Sequence, residues 1–499
     1  MTMHLDDLSV RHLGECRYDS PFSEMLAAKQ TSPHYVSESD RVLLDDTVSM
    51  LAKQNLPPSQ LPSFEAAGPR RKIYFDPDDV TAGIVTCGGL CPGLNDVIRG
   101  IVQELTVYYS VKRILGFRNG FQGMTAKHCN NTVELTPERV RDINNAGGTI
   151  LGSSRGAQDA NEMVDSLVLR GINVLFVIGG DGGMRAATNL AAAIRARGLD
   201  IAVIGVPKTI DNDLPFTDQS FGFQSAFARA TDFVSSVSVE AAASPDGIGI
   251  VKLMGRHSGF IACYAALALN TADIVLIPEV PFALHGTDGL LALVEQHVRS
   301  KGYVVIVVAE GAGRDLLEER GLLPDDATDA SGNAKLGDIG ALLRESITAH
   351  LTDVGLTPTV RYIDPSYAIR SITANAYDSV YCLRLAHAAV HAAMAGRTET
   401  AVVRWRRRFV HVPMSLIISH RNQVDPDGDL WMSVLEATGQ LVAPRTHGTH
   451  SGLNKELSRR SHQGTHRSSA SWSDGVANQI DVPQHDLNLP DIDSVRSFP

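Results

Sequence analysis

Six short apolar runs constrain this chain more than any other feature: residues 81–86, 174–178, 201–206, 247–253, 274–277 and 303–308. They are rich in Val and Ile and lack the apolar–polar alternation of a half-exposed strand. Each therefore reads as a strand buried on both faces. Longer stretches with helical spacing separate several of them, at 96–109, 184–197, 223–243 and 288–299. Strands alternating with helices predict parallel sheets with helices on both faces, a doubly wound α/β architecture.

The turns at the carboxyl ends of these runs carry the chemistry. Cys87-Gly88-Gly89 ends the first and Gly179-Gly180-Asp181-Gly182-Gly183 the second. Lys208-Thr209-Ile210-Asp211-Asn212-Asp213 ends the third, Met254-Gly255-Arg256 the fourth, Pro278-Glu279 the fifth and Glu310-Gly311 the sixth. In open α/β sheets, ligands bind outside the carboxyl ends of the strands. Ordinary turns account for the glycines, but not for a Lys, an Arg and several carboxylates at the same ends. An active site is expected there.

Gly-rich turns that open onto helix N-termini suit phosphate, because free N–H groups and the helix dipole face the anion. Neither Gly-rich turn has the Walker spacing, and the first is not G-x-G-x-x-G. Asp181, set among phosphate-facing amides, would hold a divalent cation; the plainer alternative is a helix N-cap. Of Asp211 and Asp213, one can serve as general base to a hydroxyl while backbone or an Arg holds the other. An Asx-turn cluster is the competing reading. Lys208 and Arg256 would bring positive charge to a transferring group.

The ends of the chain read differently. Residues 1–75 are punctuated by Pro57, Pro58, Pro62 and Pro69 and look like an arm, with a short helical patch at 40–53. From about residue 444 the chain is rich in Ser, His, Gly, Asn and Arg and is expected to be a disordered tail. The net charge of −11 gives no basic field for nucleic acid. No run of about 18 apolar residues predicts a membrane span. Residues 1–10 lack the apolar stretch of a secretory leader. The cysteines (Cys16, Cys87, Cys91, Cys129, Cys263, Cys382) form no C-x-x-C pair, consistent with a reducing cytoplasm. Arg404-Trp405-Arg406-Arg407-Arg408 sits between two β-like runs, as at a hairpin tip.

Taken together, these motifs resemble the phosphofructokinase family over about residues 81–413. They recur in family order: 86–95 (Thr-Cys-Gly-Gly-Leu-Cys-Pro-Gly-Leu-Asn), Gly180-Asp181-Gly182, Pro207 to Asp213, Lys252-Leu253-Met254-Gly255-Arg256, Ala309-Glu310-Gly311 and 362–370 (Tyr-Ile-Asp-Pro-Ser-Tyr-Ala-Ile-Arg). Tyr362 to Tyr367 is similar to the ATP-dependent branch of plants, trypanosomatids and some bacteria, which lies close to the pyrophosphate-dependent enzymes.

The resemblance implies a 6-phosphofructokinase acting on fructose 6-phosphate with ATP and Mg²⁺. It makes Asp211 the base toward the sugar's 1-hydroxyl, with Arg256 and Lys208 beside the transferring phosphoryl, and Asp181 the metal ligand. Gly89, Arg155, Gly156, Gly180, Gly182 and Gly183 would cradle the nucleotide with Asp181. Thr209, Ile210, Met254, Gly255 and Glu310, with Asp211 and Arg256, would hold the sugar phosphate. Arg361, Tyr367, Ala368, Ile369 and Arg370 would complete that pocket. It further implies two lobes with mostly parallel sheets and the active site in the cleft between them. A nucleotide lobe (76–222 with 370–443), a sugar lobe (223–369) and a homotetramer or homodimer are expected.

Some positions depart from the best-known bacterial pattern. Gly247 stands nine residues before Arg256, where that pattern has an Arg given by a neighbouring subunit; Tyr367 replaces a His, and Gly183 a Ser or Thr. Gly182, where pyrophosphate users carry Asp, favours ATP. Lys208 points the other way, although the plant and trypanosomatid branch pairs this Lys with Gly. A Gly-Gly-Asp-Gly kinase of another family would lack the 209–213 and 254–256 motifs. A non-catalytic regulatory subunit would have lost Asp181 or Asp211.

Overall fold

The continuous apolar runs become the central strands of two sheets, because only burial on both faces satisfies them. The computed structural model describes residues 5–21, 35–54, 56–125, 127, 132–323, 328 and 335–440. The tail expected from residue 444 lies outside them. The strands of the larger sheet are β1 (Arg41–Leu43), β2 (Ser63–Ala66), β3 (Thr81–Cys87), β4 (Arg113–Phe117), β5 (Thr132–Glu134), β6 (Val174–Gly179) and β7 (Ala202–Pro207). The smaller sheet holds β8 (Gly247–Leu253), β9 (Ile274–Leu276), β10 (Tyr303–Ala309) and β11 (Thr359–Ile363). The chain then returns to the larger sheet with β12 (Thr400–Trp405) and β13 (Arg408–Pro413).

Among the described residues the larger sheet has the order β1-β2-β13-β12-β7-β6-β3-β4-β5. Its central run, β12 to β4, is parallel, and antiparallel strands flank it. The smaller sheet, β9-β10-β8-β11, is parallel throughout.

The main helices are α1 (Leu94–Gln103), α2 (Ala160–Leu169), α3 (Asp181–Ala196), α4 (Phe223–Ala242), α5 (Phe260–Leu269), α6 (Leu290–Lys301), α7 (Ile339–Asp353), α8 (Ser366–Arg370), α9 (Ala376–Met394), α10 (Met414–Ile417) and α11 (Asp429–Thr438). They split the core according to the two-residue strand period. On β6, Val174, Phe176 and Ile178 face α1 and α9, whereas Leu175 and Val177 face Met184, Ala187 and Leu190 of α3. The first of these clusters continues into the smaller sheet through Val251, Leu253 and Val307, packed with α4 and α5. On that sheet's opposite face, Ile248, Ile250 and Ile306 pack with α6 and α7.

One reading of the arm is corrected. The helix expected over 40–53 starts only at Val48, and Arg41–Leu43 is a strand, because Val42 and its neighbours pair with Ser63–Ala66. That partner strand also pairs with β13, so part of the arm belongs to the larger sheet. The basic run does form a hairpin tip, with Arg406 and Arg407 at φ 48° and 64°. Among the described residues no helix is long and apolar enough to cross a membrane, and Cys16, Cys87, Cys91, Cys263 and Cys382 are unpaired thiols.

Candidate active site

β6 is hydrogen-bonded between β3 and β7, so their carboxyl-end turns share one edge of the larger sheet. A Cβ on Gly179 would stand 2.5 Å from the Cys87 sulfur, and one on Gly183 2.7 Å from it. These glycines let the first turn of α3 approach β3. Gly182 is different: a Cβ there meets nothing within 4 Å, so its bare backbone leaves open space.

Asp181 is the first residue of α3, in the positive end of the helix dipole. The N-cap is Gly180, so the capping alternative for Asp181 does not hold. Its carboxylate accepts from Arg185 Nη2 at 3.2 Å and from Arg421 Nη2 at 3.3 Å.

Beyond β7, Lys208 is buried and donates through Nζ to the Gly89 carbonyl at 2.7 Å, tying two strand-end turns together. The two aspartates then separate. Asp213 is buried and fully engaged: it accepts from Thr209 Oγ1 at 3.0 Å and from Arg421 Nη1 at 2.5 Å. Asn212, at φ 55°, accepts from the Ser220 backbone N–H at 2.9 Å. Asp211 keeps a buried Oδ1 with no hydrogen-bond partner. Burial, then the charges of Asp213 and Glu310, push its carboxyl well above the ordinary range, against Arg421 and Lys208. A buried carboxylate with an empty acceptor site is poised to take a proton.

The smaller sheet supplies the opposite wall. After β8, Gly255 takes φ +132°, and a Cβ there would lie 2.4 Å from the Ser258 carbonyl oxygen. Ser258 Oγ donates to the Asp211 carbonyl at 3.1 Å, joining the turns of the two sheets. Glu310, at the end of β10, donates its N–H to the Leu253 carbonyl. Burial raises its carboxyl, opposed by Arg256 and Lys252. A Cβ on Gly89 would come within 3.9 Å of both Arg155 Nη2 and Arg370 Nη1, so these two arginines converge on that turn.

A cavity of about 860 Å³ lies between these elements. Gly89, Arg155, Gly156, residues 180–183 and Lys208 to Asp211 line it from the larger sheet, and Met254, Arg256 and Glu310 from the smaller sheet, with Arg370 also in the lining. The remaining expected residues do not line it in the single chain. Gly255 supports the turn. Arg361 has its Nε 3.5 Å from the Glu240 carboxylate. Ile369 is buried in the core, and Tyr367 is 76% exposed with Arg370 over its ring. Ala368 is exposed.

Sequence reasoning missed Arg421, Arg185, Gln158 and Asn189, all of which line the cavity. The i, i+4 spacing of Asp181 and Arg185 on a helix was a readable signal; nothing in His420-Arg421-Asn422-Gln423 was.

Among the described residues no three His, Cys, Asp or Glu side chains gather as a metal cage. Asp181 alone fits a hard divalent cation that arrives with a polyphosphate, since such ions keep waters and take one or two carboxylates besides phosphate oxygens.

Comparison with known proteins identifies the family. The phosphofructokinase family model matches residues 81–393. An ATP-dependent 6-phosphofructokinase of Amycolatopsis methanolica is 78% identical over 442 residues, covering 88% of this chain and 96% of that protein. ATP-dependent 6-phosphofructokinase 7 of Arabidopsis thaliana is 47% identical over 76% of this chain and 77% of its own length. The fold is shared with a pyrophosphate-dependent phosphofructokinase of Marinobacter aquaeolei, at 22% identity and TM-score 0.59, over 74% of this chain and 94% of that one. The motifs at the strand ends, the family model and these relatives agree: the chain belongs to the phosphofructokinase family.

Proposed function

We propose that the chain transfers the γ-phosphoryl group of ATP to the 1-hydroxyl of fructose 6-phosphate, with Mg²⁺. The observation that carries this reading is that Asp181 and Asp211 line one cavity, the second with a buried, unpartnered oxygen. Asp211 would accept the hydroxyl proton as the oxygen attacks phosphorus. Asp181 would hold Mg²⁺, which would supply charge neutralisation for the donor phosphates. Arg256 and Lys208 would add positive charge at the transferring group, and the Gly-rich turns would cradle the nucleotide. Met254, Glu310 and Arg370 would hold the sugar phosphate.

Gly182 supports ATP as donor, because the space beside it is open. Lys208, the residue that points toward pyrophosphate, donates to the Gly89 carbonyl and keeps its charge and its other N–H groups for either donor. We assign the donor to the lobe of residues 76–222 and 370–443 and the sugar to residues 223–369. We assign the chain to the cytoplasm as a homotetramer or homodimer, in which a neighbouring chain would complete the sugar pocket. A coupled assay with each donor tests the reading. Turnover with ATP and fructose 6-phosphate is expected; faster turnover with pyrophosphate would reassign the donor.

A further inference from the structure

Arg421 lies outside the segment matched by the family model, in the loop between α10 and α11. Its guanidinium nevertheless bridges the two carboxylates at the centre of the cavity. The two ends of this bridge differ. Nη1 meets Asp213, whose side chain is 5% exposed, at 2.5 Å; Nη2 meets Asp181, 23% exposed, at the longer distance of 3.3 Å. The first is a short, charge-assisted bond to a buried partner, whereas the second is long and wetter.

The loop is built to hold this residue. Asn422 donates its N–H to the Asp213 carbonyl at 2.8 Å, Gln423 donates through Nε2 to the His257 carbonyl at 3.0 Å, and Val424 donates its N–H to Glu279 at 2.8 Å. Three successive residues thus pin the loop to turns of both sheets, and leave only the guanidinium's far end free to exchange.

We propose that Arg421 is a further catalytic residue that works by exchanging partners, an inference resting on the cation-dependent transfer proposed above. Without donor it shares the neutralisation of Asp181 with Arg185. When a cation arrives on the donor's phosphates, Asp181 takes the cation, and the released Nη2 turns to the phosphate oxygens while Nη1 stays on Asp213. The same guanidinium thus helps keep Asp181 from binding a cation alone and stabilises the transferring phosphoryl once the donor is present.

Arg421→Gln and Arg421→Lys test this in the full chain. The Gln variant is expected to lose about 10²-fold in kcat, with the KM for fructose 6-phosphate within about threefold of wild type. Mn²⁺, titrated by electron paramagnetic resonance into nucleotide-free protein, is expected to bind the Gln variant severalfold more tightly, because one of the two guanidinium competitors at Asp181 is gone and only Arg185 remains. A wild-type kcat, or Mn²⁺ affinity no higher than wild type, overturns the proposal. If the Gln variant does not fold, the Lys variant decides. One ammonium cannot bridge both carboxylates and should stay with buried Asp213, so its Mn²⁺ affinity also rises; an unchanged affinity overturns the exchange. If wild-type protein does not use ATP, the functional reading fails, yet the Mn²⁺ comparison still tests the exchange.

Discussion

Ser258 gives its hydroxyl hydrogen to the backbone carbonyl of Asp211, so the turn after the central strand of the smaller sheet is fastened to the residue with the unpartnered carboxylate. The position of Asp211 is thereby fixed from both walls of the cavity, while its Oδ1 stays available. A group held through its backbone and idle at its side chain is what proton abstraction requires.

Replacing that carboxylate with its neutral isostere should remove the base and little else. Asp211→Asn is expected to lower kcat by roughly 10²- to 10⁴-fold, the usual contribution of a general base. Steady-state kinetics with ATP and fructose 6-phosphate measure it, and a rate near wild type would assign the proton transfer elsewhere.

The same residue should weaken the fold as pH rises. Its folded-state pKa lies above the unfolded value, so its stabilising share is intact below the ordinary carboxylate range and is lost as pH climbs through the raised value. Asp211→Asn removes this loss. The variant should melt higher than wild type at pH 8 and converge with it near pH 4 in differential scanning calorimetry, so stability and activity would move in opposite directions.

Gly182→Asp should separate donor use from folding. A Cβ there meets no atom within 4 Å, so the melting temperature should hardly change. The added carboxylate would take cavity space and repel the nucleotide's phosphates, raising the KM for ATP by about tenfold or more. Parallel kinetics and thermal melts distinguish this from a folding defect.

Gly183→Ala should fail for a local reason. The new methyl would stand 2.7 Å from the Cys87 sulfur, an overpacking cost of about 1–3 kcal/mol. In a Cys87→Ala background that sulfur is absent and most of the penalty should vanish. A double-mutant cycle by urea denaturation measures the coupling, and additive effects would refute it.

Much of this arrangement is legible in the sequence where one segment decides the outcome. Residues 247–253 form a buried strand as expected, because Ile248, Ile250, Val251 and Leu253 suit burial on both faces, with only Lys252 partly exposed. The strand at 41–43 reads as helix in the sequence, because Val42, Leu43 and Leu44 satisfy either period and the deciding partner, Ser63–Ala66, lies beyond the local window. The strand-end residues of the cavity stand out because charge sits where plain turns need only glycine. Arg421 does not, since its meaning comes from meeting Asp213 across 208 residues of chain. Nor does the motif around Arg361 show that the guanidinium lies beside Glu240 on α4, a partner more than a hundred residues earlier in the chain.

The order of strands also dictates an order of construction. Among the described residues, β12 and β13 are the strands of the larger sheet that come after the smaller sheet in the chain, and β12 covers the edge of β7. On the ribosome, β8 to β11 can close into a finished parallel sheet while β7 still presents an uncovered apolar edge. That edge must wait nearly two hundred residues, from Pro207 to Thr400, for its neighbour. Chains halted in that interval would carry a bare strand, a template for pairing with another nascent copy.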